Sequence, residues 1–136
     1  MASSKDIVIP YSMLLSSLRP IIDVKFKEKE TQYIPCLLDS GADISTFPTS
    51  IGTKIGIDFS DEDPVDPPKQ ISGDIKCKCY QVAKSIYLKW QKEEITLPIM
   101  WVDSNEVDPV LGRKGFFDKF KEVAFCEEKK KIILRK

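Results

Sequence analysis

Asp39-Ser40-Gly41-Ala42-Asp43 is where this sequence gathers its chemistry: two carboxylates bracket a turn of small residues at the end of an apolar run, Ile34 to Leu38. Glycine two residues after the first acid lets the backbone double back tightly and brings its bare N–H close to the Asp39 carboxylate. The Ser40 hydroxyl can hold a neighbouring main chain. The carboxylate then sits rigid and exposed. The chain has no histidine, which removes Ser-His and Cys-His nucleophile schemes, His-based zinc sites and imidazole acid-base chemistry together. Carboxylates are what remain.

A second segment, Val110-Leu111-Gly112-Arg113, places a glycine 73 positions after Asp39, where an apolar pair runs into Gly-Arg. Between the two segments, Lys69 to Lys76 reads as two strands meeting at a glycine turn, with Gly73 at its tip. In these three features the chain resembles the retropepsins, the dimeric aspartic peptidases typified by retroviral proteases, and is most similar to their single-domain cellular relatives. The resemblance runs from about Pro20 to Phe120.

That resemblance implies a mainly β, closed barrel-like acid-protease fold with one short C-terminal helix, a β-hairpin flap and a homodimeric assembly. It implies Asp39 as the catalytic acid, Ser40, Gly41 and Ala42 as support of its turn, and Val110, Leu111 and Gly112 as the segment that closes the loops around it. Asp43 and Arg113 are expected as an ion pair buried near the floor of the site. The flap spans about residues 66–82, with Ile71, Ser72, Gly73, Asp74 and Ile75 nearest the substrate; Asp74 departs from the glycine-rich tip of the viral enzymes. Only one Asp-Ser/Thr-Gly occurs, so a second must come from another copy of the chain. In viral retropepsins the termini interleave into an intersubunit sheet, whereas this chain carries a longer N-terminal arm and a terminal hairpin of its own at about 122–136. The implied activity is endopeptidase cleavage of a polypeptide by activated water, with no metal or other cofactor. The competing reading is a retropepsin fold used as a dimerisation or peptide-binding module that cleaves little; a monomeric β-barrel without a site comes last.

Composition bounds the rest. At 136 residues the chain is expected to be one domain, 1–136, long enough to bury a core and too short for two lobes. Lys plus Arg and Asp plus Glu both number 21, a formal net charge of zero, so nothing pulls it toward nucleic acid or an anionic membrane. Cysteines 36, 77, 79 and 126 lack disulfide-scaffold spacing, and Cys77-x-Cys79 lacks the other ligands of a zinc site. Met13-Leu14-Leu15 is too short and too polar in its flanks for a signal or membrane helix. A cytoplasmic protein is expected.

Along the chain, strands are expected at Ile7 to Tyr11, Pro20 to Phe26, Thr31 to Leu38, Ile44 to Phe47, Lys76 to Val82, Ser85 to Trp90 and Ile95 to Val102. A weak helix capped by Thr49 should end at Gly56, and the acidic, proline-rich stretch from Ser60 to Lys69 should be a solvated loop. Lys114 to Phe120 should form a short helix docking Phe116, Phe117 and Phe120. A hairpin of Val123 to Phe125 with Ile132 to Leu134 closes the chain, and Trp90 and Trp101 are expected as core or interface aromatics of strands.

Overall fold

Apolar residues at Ile22, Val24 and Phe26 alternate with Asp23 and Lys25, and strand β4 (Ile21–Phe26) accordingly buries one set and leaves the other part-exposed. The computed structural model, which describes residues 5–29, 32–67 and 77–136, pairs β4 antiparallel with β5 (Ile34–Leu38) on one side and β8 (Lys84–Leu88) on the other. Strand β8 continues to β9 (Glu94–Leu97). Beyond the turn that follows β5, β6 (Ser45–Pro48) runs parallel to β10 (Ile99–Val102), which pairs antiparallel with β7 (Cys79–Gln81). The two-residue strand β11 (Val110–Leu111) lies between β5 and β6, completing an eight-stranded order β7-β10-β6-β11-β5-β4-β8-β9.

Strands β9 and β10 stand near opposite ends of that order, yet Pro98 alone separates them in the chain. The sheet therefore curls, so that β9 and β10 come end to end. Ile95 to Val102, expected as one strand, divides here because proline offers no N–H to a ladder. The concave side is filled by Phe26, Phe47 and Trp101, all fully buried, with ring centroids between 5.2 and 5.8 Å apart. Each such side chain contributes about 1.5–3 kcal/mol by leaving water. Trp101 also keeps its polar edge satisfied, donating from Nε1 to the Val82 carbonyl at 3.0 Å.

Helix α1 (Thr49–Lys54) follows β6, and Gly56 at φ +98° ends it. Thr49 does not cap the helix: Pro48 holds the cap position, and the Thr49 hydroxyl instead donates to Asp103 Oδ1 at 3.2 Å. The expected C-terminal helix is a single 3-10 turn, Phe117–Lys119. Gly115, at φ +84°, breaks the helical path just where it was expected to start. The aromatics still dock, with Phe116 fully buried and 5.5 Å from Phe120.

Strand β1 (Ile7–Pro10) pairs with β13 (Lys131–Arg135), which pairs with β12 (Glu122–Cys126). The N-terminal and C-terminal strands thus share a three-stranded sheet within one chain. Tyr11 fastens it, donating its hydroxyl to Glu127 Oε2 at 3.1 Å. A separate two-stranded ribbon, β2 (Ser12–Leu14) with β3 (Ser17–Arg19), occupies a stretch for which the sequence pattern gave no strand. Trp90 differs from expectation as well: it lies in the turn between β8 and β9 at φ +66°, 84% exposed. All four cysteines are free thiols. Among the described residues no helix is long and apolar enough to cross a membrane.

Candidate active site

Pleating decides which way the Asp39 carboxylate faces. In β5 the buried residues are Cys36 and Leu38, so the apolar run is buried on one face only. Pro35, Leu37 and Asp39 occupy the other face and line a cleft of about 620 Å³. Asp39 is the half-exposed polar end of that face. Ala42, Thr46, Val107 and Val110 supply apolar area around it, while Glu106 and Asp108 stand at its rim.

The turn is held from inside and from behind. Gly41 donates its N–H to Asp39 Oδ1 at 2.9 Å, and Ala42 donates to the Asp39 carbonyl at 3.1 Å. Strand β11 then threads between the two arms of the turn, parallel to β5 and antiparallel to β6. It gives Asp39 a main-chain partner, the Leu111 carbonyl at 3.1 Å from the Asp39 nitrogen. Directly beyond it, Arg113 and Lys114 donate to the carbonyls of Ala42 and Asp43 at 2.9 and 2.8 Å. The carboxylate therefore hangs from a loop whose every arm is hydrogen-bonded.

Gly112 is the point of closest approach. A Cβ added there would lie 2.6 Å from the Ile44 carbonyl carbon, 2.7 Å from its oxygen and 2.8 Å from the Ala42 oxygen. Only a residue without a side chain lets β11 lie this close to the turn.

The Gly112 N–H reaches the Ser45 hydroxyl at 3.0 Å. Ser45 is fully buried, and no role was read for it from the sequence. The available signal was the hydroxyl pair Ser45-Thr46 between apolar Ile44 and Phe47, since buried polar groups need partners. Ser45→Ala leaves the Gly112 donor buried and unpaired, so a loss of about 1–3 kcal/mol is expected in urea unfolding. An unchanged midpoint would mean that water reaches the donor.

Asp43 and Arg113 sit together, Nη2 to Oδ1 at 2.6 Å, but the pair is not buried: their side chains are 59% and 62% exposed. Among the described residues both side chains stay more than half exposed. Asp43→Ala should therefore change the melting stability of an isolated chain by no more than about 1 kcal/mol. A loss of several kcal/mol at dilutions where copies do not associate would contradict this. Ser40 is exposed, and Ala42 is buried. Ile71, Ser72, Gly73, Asp74 and Ile75 lie outside the described residues. Val65 and Cys79, on either side of that stretch, form an antiparallel bridge with the Val65 nitrogen 2.8 Å from the Cys79 carbonyl.

This architecture has solved counterparts. A retropepsin-like aspartic protease from Rickettsia conorii superposes with a TM-score of 0.64 at 15% identity, covering 95% of this chain and 89% of its own. The fold is retropepsin-like. The retroviral protease-like domain of Ddi1 from Leishmania major superposes with a TM-score of 0.58 at 12% identity, covering 81% of this chain and 82% of its own. No family model matches the sequence, and no curated protein matches it significantly. Identities this low carry the retropepsin-like fold and leave the chemistry to the site. What the site offers is one fixed carboxylate at the wall of an apolar cleft.

Proposed function

We propose that the protein is an aspartic endopeptidase working as a homodimer, with Asp39 of each copy facing the other across a twofold axis. The observation that carries this reading is the clamped turn: a carboxylate bonded by the Gly41 N–H, braced by an inserted strand and open to an apolar cleft. One carboxylate cannot act as base and acid on the same bond at the same moment. Two in contact can, because like charges at that distance hold a single proton between them. The unprotonated partner takes a proton from a water lying between them, and the water oxygen attacks the scissile carbonyl. The protonated partner meanwhile donates to the carbonyl oxygen. Collapse of the tetrahedral intermediate breaks the C–N bond as the nitrogen takes up a proton, so neither metal nor covalent enzyme intermediate is required.

In this reading Ser40 bonds across the interface, Ala42 supports the turn, Asp43 anchors the substrate main chain, and Ile71 to Ile75 cover it. An extended peptide would use strand edges for its backbone and the cleft for its side chains.

A second reading, a peptide-binding module that cleaves little, is favoured by one observation. Pairing of β1 with β13 in the same chain uses up strands that would otherwise interleave between copies. Under the peptidase reading, hydrolysis per milligram should rise with protein concentration through the dimerisation range and follow the dimer fraction seen by sedimentation. It should also show a bell-shaped pH profile with an acidic to weakly acidic optimum, because the ionisations belong to the pair. A mixed peptide library read by mass spectrometry supplies the substrate. No cleavage by a dimeric protein across about pH 4–7 would favour the binding module.

A further inference from the structure

The ribbon β2–β3 is the least economical part of the molecule, and it borders the candidate active site. Its two-residue turn holds Leu15 at φ +51° and Ser16 at φ +65°, a left-handed pair that hairpins normally fill with Asn-Gly or Asp-Gly. Leucine there is strained by its own Cβ, and its side chain is 81% exposed. Met13, Leu14 and Leu18 are exposed too, so four of the nine large exposed apolar side chains among the described residues crowd onto eight positions. Strain and unfavourable hydration at one residue point to a use for its side chain.

The ribbon is also aimed. Arg19 Nε donates to the Leu14 carbonyl at 3.2 Å and clamps the tip. At its base, the Tyr11 nitrogen is held by the Lys130 carbonyl, and the Pro20 carbonyl accepts the N–H of Leu38, the residue before Asp39. Two hydrogen-bonded roots fix the ribbon relative to the strand that carries the carboxylate. Leu14 and Leu15 line the same cleft as Asp39 and Leu37.

We propose that Leu14 and Leu15 are specificity-determining residues: the ribbon forms one wall of a subsite that accepts a bulky apolar side chain of an extended peptide. This rests on the peptidase reading for its substrate and on the ribbon's own geometry for its location. Exposed leucines at the mouth of an apolar cleft lose water when such a side chain enters, whereas alanine at the same place leaves them wet. A difference of one or more methylenes is enough for tenfold discrimination or more.

The test compares wild type with a Leu14→Ser/Leu15→Asn double variant, asparagine being chosen because it tolerates the left-handed turn. Hexapeptides carrying Leu or Ala at each position in turn are scored for kcat/KM. The expected result is a Leu-over-Ala ratio at one position that falls about tenfold in the variant, with ratios at the remaining positions kept and the melting temperature unchanged or raised. The same peptides are titrated against Asp39→Asn proteins with and without the ribbon changes, which measures Kd without hydrolysis. Wild type that cleaves nothing, while its Asp39→Asn form still prefers Leu through the ribbon, would remove the peptidase reading and keep the wall. Ratios unaffected by the ribbon changes in both assays would overturn the proposal. Loss of the dimer with unchanged ratios would also overturn it, placing the ribbon between copies.

Discussion

Asp39→Asn should abolish peptide hydrolysis while leaving the fold intact. Asparagine has nearly the same volume, and its amide oxygen can still accept the Gly41 N–H that now bonds Asp39 Oδ1 at 2.9 Å. The main-chain bonds of residue 39, to the Leu111 carbonyl and from the Ala42 nitrogen, do not involve the side chain. The turn should therefore form normally, with an unchanged melting curve. An amide can neither take a proton from water nor return one to a carbonyl, and each positioned proton transfer is worth about 10^2- to 10^4-fold. In a homodimer one substitution removes both carboxylates, so both transfers go at once. Mass spectrometry of a peptide mixture, with the two proteins at equal concentration, gives the answer. Cleavage at matching bonds by the variant would mean that Asp39 is not the acid, or that a contaminant is cutting. Mixing variant with wild type sharpens the test: if each copy supplies half a site, the variant should poison the wild type as subunits exchange.

The geometry of the turn was legible because it is local. Asp39, Gly41 and the hydrogen bond between them lie within three residues, and glycine's role there follows from the backbone alone. The Val110-Leu111-Gly112-Arg113 segment stood out as punctuation, and its closing of the loops was implied by the resemblance alone; the two-residue strand it forms between β5 and β6 was not expected. Helix boundaries were harder. Gly115 stops what Phe116, Phe117 and Phe120 suggest by their spacing, since periodic aromatics say which face docks but not which φ the preceding residue adopts. Exposure of the Asp43–Arg113 pair was not legible at all. The charges can be read from the sequence and their partnership from the resemblance; how far they are covered depends on tertiary packing that neither reports. The ribbon from Ser12 to Arg19 escaped because its strands are three residues each and its turn is Leu-Ser instead of Asn-Gly. Neither alternation nor turn chemistry signals a hairpin so short.

Gly112→Ala should be the most damaging single-methyl change in the described chain, and its effect should reach function through the turn. The added Cβ would meet three backbone atoms, those of Ile44 and Ala42, at 2.6 to 2.8 Å. Main chain cannot swing aside as a side chain can: Ile44 is bridged to Lys114, and the Ala42 carbonyl already accepts the Arg113 N–H. Relief requires β11 to withdraw from between β5 and β6. That movement loosens the Gly112 bond to Ser45 Oγ and the Asp39 bond to Leu111, which are the contacts fixing the carboxylate. Overpacking of this kind costs about 1–3 kcal/mol where neighbours can give; here they are backbone, so about 3 kcal/mol or more is expected. Urea unfolding would show it as a lower midpoint, and hydrogen exchange should quicken at the Asp39 and Gly112 amides before the rest of the sheet. If the variant is recovered folded, its hydrolysis should still fall well below that of Ser45→Ala, which weakens the same contact without moving the strand. Equal stability and equal exchange would mean that β11 can shift freely, and the clamped turn would then not be what holds Asp39 in place.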